Sequence, residues 1–166
     1  DISSCLRYEN VQKARTENLA MMQKDMTKTF ELIDIYISTR RANKYFRWHV
    51  AGDILNYDYF CNMVEIAKRH PDWLFWTYTK VYGIVNLYCD INGKNAIPDN
   101  FSIMFSRWNG MPMSNPYNFA EFTCIQEGMD IPENQWKCPG KCNICINAKR
   151  GCPVNENAYV FEHGFD

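Results

Sequence analysis

Lys44-Tyr-Phe-Arg-Trp-His-Val50, the break Ala51-Gly-Asp53, and then Phe60, Met63, Val64 and Ala67 recurring on one helical face up to Pro71 decide the fold. The first run is dense in aromatic and β-branched residues and reads as a strand. The second has helical period, with Asn56 placed to cap it and Pro71 to end it. Together they make a strand–helix unit. The unit repeats downstream. Trp73–Thr79 reads as a strand, and Val81, Ile84, Val85 and Tyr88 form the next helical stripe, stopped at Asn92-Gly93. Phe101–Arg107 reads as a third strand after the Pro98-Asp99-Asn100 turn. Strand and helix alternating at this spacing predict an α/β fold with a mostly parallel sheet and helices packed outside it.

Outward from this centre, residues 1–43 read as two helices, with Phe30, Ile33 and Ile37 in register and Leu32 and Tyr36 widening the stripe. Strand–helix units occupy 44–127, including a proline- and glycine-bearing loop over 108–117 and a further strand over Ala120–Gln126. A cysteine-rich loop covers 136–153, and a closing strand 158–163. The chain, 166 residues long, is expected to form a single domain, and one that opens on Asp1 rather than Met is expected to begin upstream of it.

Hydrophobic residues make up 46% of the chain and charged residues 22%, enough apolar surface for a core. Net charge is -1, which argues against a protein built to neutralise phosphates, so nucleic acid is a poor partner. No apolar run reaches the roughly 20 residues needed to span a bilayer, and no membrane association is expected.

In parallel α/β folds ligands sit beyond the carboxyl ends of the strands. The residues there are His49, Gly52 and Asp53, then Thr79 and Lys80, then Ser106, Arg107 and Trp108. Strict alternation along 44–50 puts Arg47 and His49 on one face, suited to an anionic or polar ligand, or else to a buried hydrogen-bond network. His49 titrates in the range of a general acid or base. His49, Asp53 and Lys80 are therefore the candidate catalytic residues, and Arg47, Gly52, Ser106 and Arg107 the candidate cofactor-binding ones. His70 reads as part of an exposed helix end, and His163 as a strand residue.

The eight cysteines divide into two groups. Cys5, Cys61, Cys89 and Cys124 are scattered, and the last three read as small buried hydrophobes. Cys138, Cys142, Cys145 and Cys152 form C-x3-C-x2-C-x6-C-P, a loop in which Gly140 and Gly151 permit sharp turns. Such a loop presents four thiolates to one metal centre, while disulfides are the other use of such cysteines. Three cysteines crowded into a short segment and a terminal Cys-Pro favour a [4Fe–4S] cluster over Zn²⁺. Lys137, Lys141, Lys149 and Arg150 offer compensating charge, with no acidic residue between 134 and 155.

Phe46-Arg-Trp-His-Val-Ala-Gly-Asp-Ile54, Tyr59-Phe60, Ile66-Ala-Lys68, Pro71, Trp76-Thr-Tyr-Thr-Lys80, Ile97-Pro-Asp-Asn100, the Ser106 region, the cysteine loop and His163 resemble the phage gene product 88 family. The resemblance implies a partial TIM-barrel-like sheet related to radical S-adenosylmethionine proteins, and further cysteines near the start, of which Cys5 would be the last. It also implies that S-adenosylmethionine is a possible cofactor, with Gly52-Asp53 contacting its amino group. Against this, the C-x3-C-x2-C of that class follows the first strand and carries an aromatic residue before its last cysteine. Here it lies near the C-terminus with Ile144, and Cys152 is free to fill the fourth position. The expected activity is that of an iron–sulfur protein of phage type acting on an unknown small molecule, in a bacterial host's cytoplasm. The competing expectation is a zinc-stabilised binding module aimed at a host protein.

Overall fold

The structure, a computed structural model, describes residues 8–162, so Cys5 and His163 lie outside the described residues. The described residues divide into two compact units: 8–44 with 50–52, and 45–49 with 53–162.

In the first unit, α1 (Glu9–Lys24) and α2 (Met26–Thr39) are separated by Asp25 alone. The Asp25 carboxylate accepts from Lys28 N at 2.9 Å, capping α2. Phe30 and Ile37 are buried, but Leu32, Ile35 and Tyr36 remain about half exposed. The apolar stripe of α2 is therefore narrower than the sequence suggests, because Leu32 and Tyr36 fall off its buried side.

The second unit is an α/β body around a six-stranded parallel sheet, curled into a half-barrel. Its elements are β1 (Tyr45–Arg47), α3 (Tyr57–Arg69), β2 (Leu74–Thr79), α4 (Tyr82–Asn92), β3 (Phe101–Arg107), β4 (Ala120–Ile125), β5 (Trp136–Lys137), α5 (Cys142–Ala148) and β6 (Ala158–Phe161). The strand order is β1-β2-β3-β4-β6-β5, and every pairing is parallel. Asn56 caps α3 by accepting from Tyr59 N at 2.8 Å, and α4 ends at Gly93.

The register sorts side chains onto two faces. Arg47 pairs with Trp76, Trp76 with Ser102, Tyr78 with Met104, Met104 with Ala120, Phe122 with Ala158, and Ala158 with Trp136. Residues paired across a sheet share a face, so this whole set lies on one side, here called the inner face. Phe75, Thr77, Thr79, Phe101, Ile103 and Phe105 take the other side, against α3 and α4. There Phe60 meets Phe101 at 6.3 Å and Tyr82 meets Phe105 at 5.0 Å between ring centroids. Phe60, Met63, Val64, Ile66 and Ala67 of α3 are fully buried.

One expectation fails at the strand that opens the sheet. β1 ends at Arg47, and His49 adopts a left-handed backbone with φ 54. The alternation expected to run through residue 50 is broken there, so Arg47 and His49 do not share a face.

Candidate metal centre

β5 and β6 are adjacent and parallel, so the chain between them must leave one end of the sheet and return to the other. This crossover carries the four clustered cysteines. Cys138 N donates to Tyr159 O at 2.8 Å, extending the β5–β6 ladder by one residue. Beyond α5 the chain turns at Gly151, whose φ is 69. A Cβ there would stand 2.6 Å from Trp136 Cδ1, so the ring occupies the space that only glycine leaves. Glu156 clamps the turn, accepting from Gly151 N at 2.5 Å and from Arg150 Nη2 at 2.7 Å. The Arg150 guanidinium in turn lies 4.7 Å from the Trp136 ring centre. The turn places Cys152 in the inner-face cluster with Trp76, Met104, Ala120 and Ala158, and Cys142, Trp136 and Tyr78 pack against it.

All seven described cysteines are free thiols. Each sulfur of the loop meets one hydrogen-bond donor. Trp136 Nε1 donates to Cys145 Sγ at 3.2 Å, and Arg47 Nη1 lies 3.9 Å from Cys142 Sγ. The Tyr78 hydroxyl donates to Cys152, and the Gly140 backbone N–H to Cys138. Burial pushes the Cys152 thiol up to about 12; the Tyr78 hydrogen bond opposes the rise, and negative charge on Cys138, Cys145 and Cys142 would add to it. Cys138 is raised by the same cause. Tyr78 is driven well above the ordinary phenol range, first by burial and then by its proximity to Cys152. Cys138 and Cys152 thus both lie within electrostatic reach of Cys142 and Cys145. Among the described residues, however, no three His, Cys, Asp or Glu side chains already stand at metal-binding spacing. The donor chemistry suits thiolates, and ligation requires the sulfurs to close up.

Arg47 brings a cation to Cys142 from a strand 95 residues upstream. The loop's own bases were the expected source. Arg150 is instead engaged by Glu156, and Lys137 lies 4.9 Å from the centre of the Phe161 ring.

The strand-end residues are each engaged within the chain. His49 sits on the helix side, its Nδ1 3.1 Å from Thr77 Oγ1 and its Nε2 2.8 Å from Tyr59 Oη, with the two rings stacked at 5.5 Å. That is the buried-network alternative. Both Asp53 carboxylate oxygens are occupied: Thr79 Oγ1 donates at 2.6 Å, Lys80 N at 2.7 Å and Ile54 N at 2.8 Å. Asp53 therefore fastens the chain after β1 to the end of β2. Gly52 has a φ of 98. Lys80 Nζ lies 4.6 Å over the Trp108 ring. Arg107 forms a two-point ion pair with Glu121, its Nε at 2.6 Å and its Nη2 at 3.1 Å from the two carboxylate oxygens. Ser106 lies on the inner face, and its carbonyl accepts from the Tyr82 hydroxyl.

A cavity of about 470 Å³ opens beside the starts of β4 and β6, lined largely by asparagines. Several of these are already at work in the loops: Asn115 bonds both N and O of Phe119, and Asn157 Oδ1 accepts from Glu121 N at 2.8 Å.

Sequence reasoning missed Tyr78, Trp76 and Trp136 as parts of the site. Their signal was available, since Trp76 and Tyr78 alternate along β2 and Trp136 lies two residues before Cys138.

These features define an open parallel α/β half-barrel whose inner face is closed by a thiol-bearing crossover. The profile of the gene product 88 family matches residues 3–112, and the chain belongs to this phage family. The match takes in β1 to β3, with Arg47, Trp76 and Tyr78, and stops before the cysteine loop. Neither the curated proteins nor the solved structures contain a match to the chain.

Proposed function

We propose that the chain binds an iron–sulfur cluster through Cys138, Cys142, Cys145 and Cys152 on the inner face of the half-barrel. The observation that carries this reading is that four thiols on one short crossover each have a separate hydrogen-bond donor, three of them side chains. Thiolates bearing a cluster's charge are stabilised by such N–H and O–H donors, and it is their gathering on one loop that supports a shared centre, since the isolated Cys61 also has a tyrosine donor in Tyr57. When bound, the cluster would supply one-electron chemistry. The protein's part is to hold the four sulfurs, balance their charge with Arg47, and exclude water with Trp76, Tyr78, Phe122 and Trp136.

Radical chemistry with S-adenosylmethionine is a weaker reading. It began from the C-x3-C-x2-C spacing of Cys138, Cys142 and Cys145 and needs Gly52-Asp53 to contact the cofactor, but the Asp53 carboxylate already accepts three hydrogen bonds within the chain. A zinc-stabilised binding module directed at a host protein uses the same four sulfurs and is the alternative outcome of the test. Protein purified without oxygen is assayed for iron, acid-labile sulfide and zinc, and its visible spectrum is recorded. The expected result is coloured protein with about four irons and four sulfides per chain, lost in Cys145→Ser and Cys152→Ser. One zinc with no sulfide would replace the reading with the zinc module, and colourless metal-free protein would end both.

A further inference from the structure

Two buried donors beside the cysteine loop have no hydrogen-bond partner: Arg47 Nε and Trp76 Nε1. Trp76 is only 1% exposed and belongs to the cluster that holds Cys152. Arg47 is its register partner on β1, and its guanidinium also lies 4.9 Å from the Tyr78 ring centre while Nη1 faces Cys142. A buried N–H without an acceptor costs the full desolvation of that group, so such atoms in a folded core point to an acceptor brought by something else.

The acceptors within the site can be counted. The four cysteine sulfurs are matched by Gly140 N–H, Arg47 Nη1, Trp136 Nε1 and the Tyr78 hydroxyl. A zinc ion in a four-cysteine site adds no acceptor to that set. A cluster adds its bridging inorganic sulfides, which accept N–H···S bonds. Resting on the iron–sulfur reading, we infer that Arg47 and Trp76 are positioning residues for those sulfides, the pair of donors on neighbouring strands that sets the reduction potential of the centre. Positive charge and N–H donors beside a cluster favour its more negatively charged, reduced state, so their removal makes reduction harder.

The experiment is redox potentiometry, followed by electron paramagnetic resonance, on anaerobically prepared full chain, with iron and sulfide measured in every sample. Trp76→Phe deletes one N–H with little change of shape, and Arg47→Met deletes the charge and all its donors. Arg47→Lys keeps the charge and loses Nε. The expected result is an unchanged iron and sulfide content with the midpoint shifted negative in Trp76→Phe, further negative in Arg47→Met, and partly restored in Arg47→Lys. Where Arg47→Met fails to fold, the Trp76→Phe shift decides the matter. Wild-type potentials in fully loaded Trp76→Phe and Arg47→Lys would overturn this inference and leave the cluster reading standing. Wild-type protein without sulfide would overturn both, since the acceptor would not exist.

Discussion

Burial holds the His49 imidazole below its ordinary pKa; Asp53 pulls it back up, and Arg47 pushes it further down. The unfolded chain takes up this proton near pH 6.5 and the folded chain does not. The unfolded state therefore binds more protons below that pH. Stability from this residue is complete above about pH 6.5 and is lost as pH falls through the folded value. Asn tolerates the left-handed backbone at this position, which makes His49→Asn the clean comparison. It should cost about 1–2 kcal/mol at neutral pH through the lost bonds to Thr77 and Tyr59. Urea denaturation at several pH values should show a flatter pH dependence than wild type below about pH 6.5. At Cys152 protonation bears on metal loading. A thiol raised to about 12 must release a proton to ligate, so loading of the metal-free chain should weaken steadily as the buffer is made more acidic. Equal loading in acidic and neutral buffer would count against ligation by Cys152.

At the scale of elements, Gly151 and Asn100 are the positions where one side chain decides local structure. Gly151→Ala meets both a positive φ and the Trp136 ring, and should destabilise the protein by about 1–3 kcal/mol. The same change should move Trp136 away from Cys145, read as a shift in tryptophan emission. Asn100 Nδ2 lies 2.9–3.0 Å from the carbonyls of Ala67, His70 and Trp73, tying the end of α3 to the start of β3. Asn100→Ala leaves those carbonyls short of a donor and should cost about 1–3 kcal/mol in chemical denaturation. The elements themselves were largely legible. The strand–helix alternation, the Asn56 cap and the run Phe101–Arg107 follow from period and punctuation, which act locally. What was not legible depends on contacts distant in sequence. No local pattern announces that β1 stops at Arg47, that His49 turns to α3, or that a β1 arginine reaches the cysteine loop. The cysteines declared themselves by spacing, while their donors came from strands whose aromatic residues read equally well as core.

For the molecule as a whole, a metal held by the crossover between β5 and β6 as proposed would link metal content to folding. The loop buries Cys145, Gly151, Cys152 and Pro153, and Cys142 and Ile146 pack against the inner-face cluster. Removing the metal should therefore loosen residues 138–157 well before β2 and β3, whose helix-side residues Phe75, Ile103 and Phe105 are almost fully buried. Hydrogen exchange followed by mass spectrometry should show protection lost in that segment and retained in the central strands. Uniform loss across the sheet would show that the loop is not a separate cooperative unit.

The outermost strands of the sheet are also its two shortest: β1 spans three residues at one margin and β5 two at the other. A foreign strand seeking to zip onto either rim finds scarcely a single repeat of main-chain partners, too brief a template to nucleate fibrils.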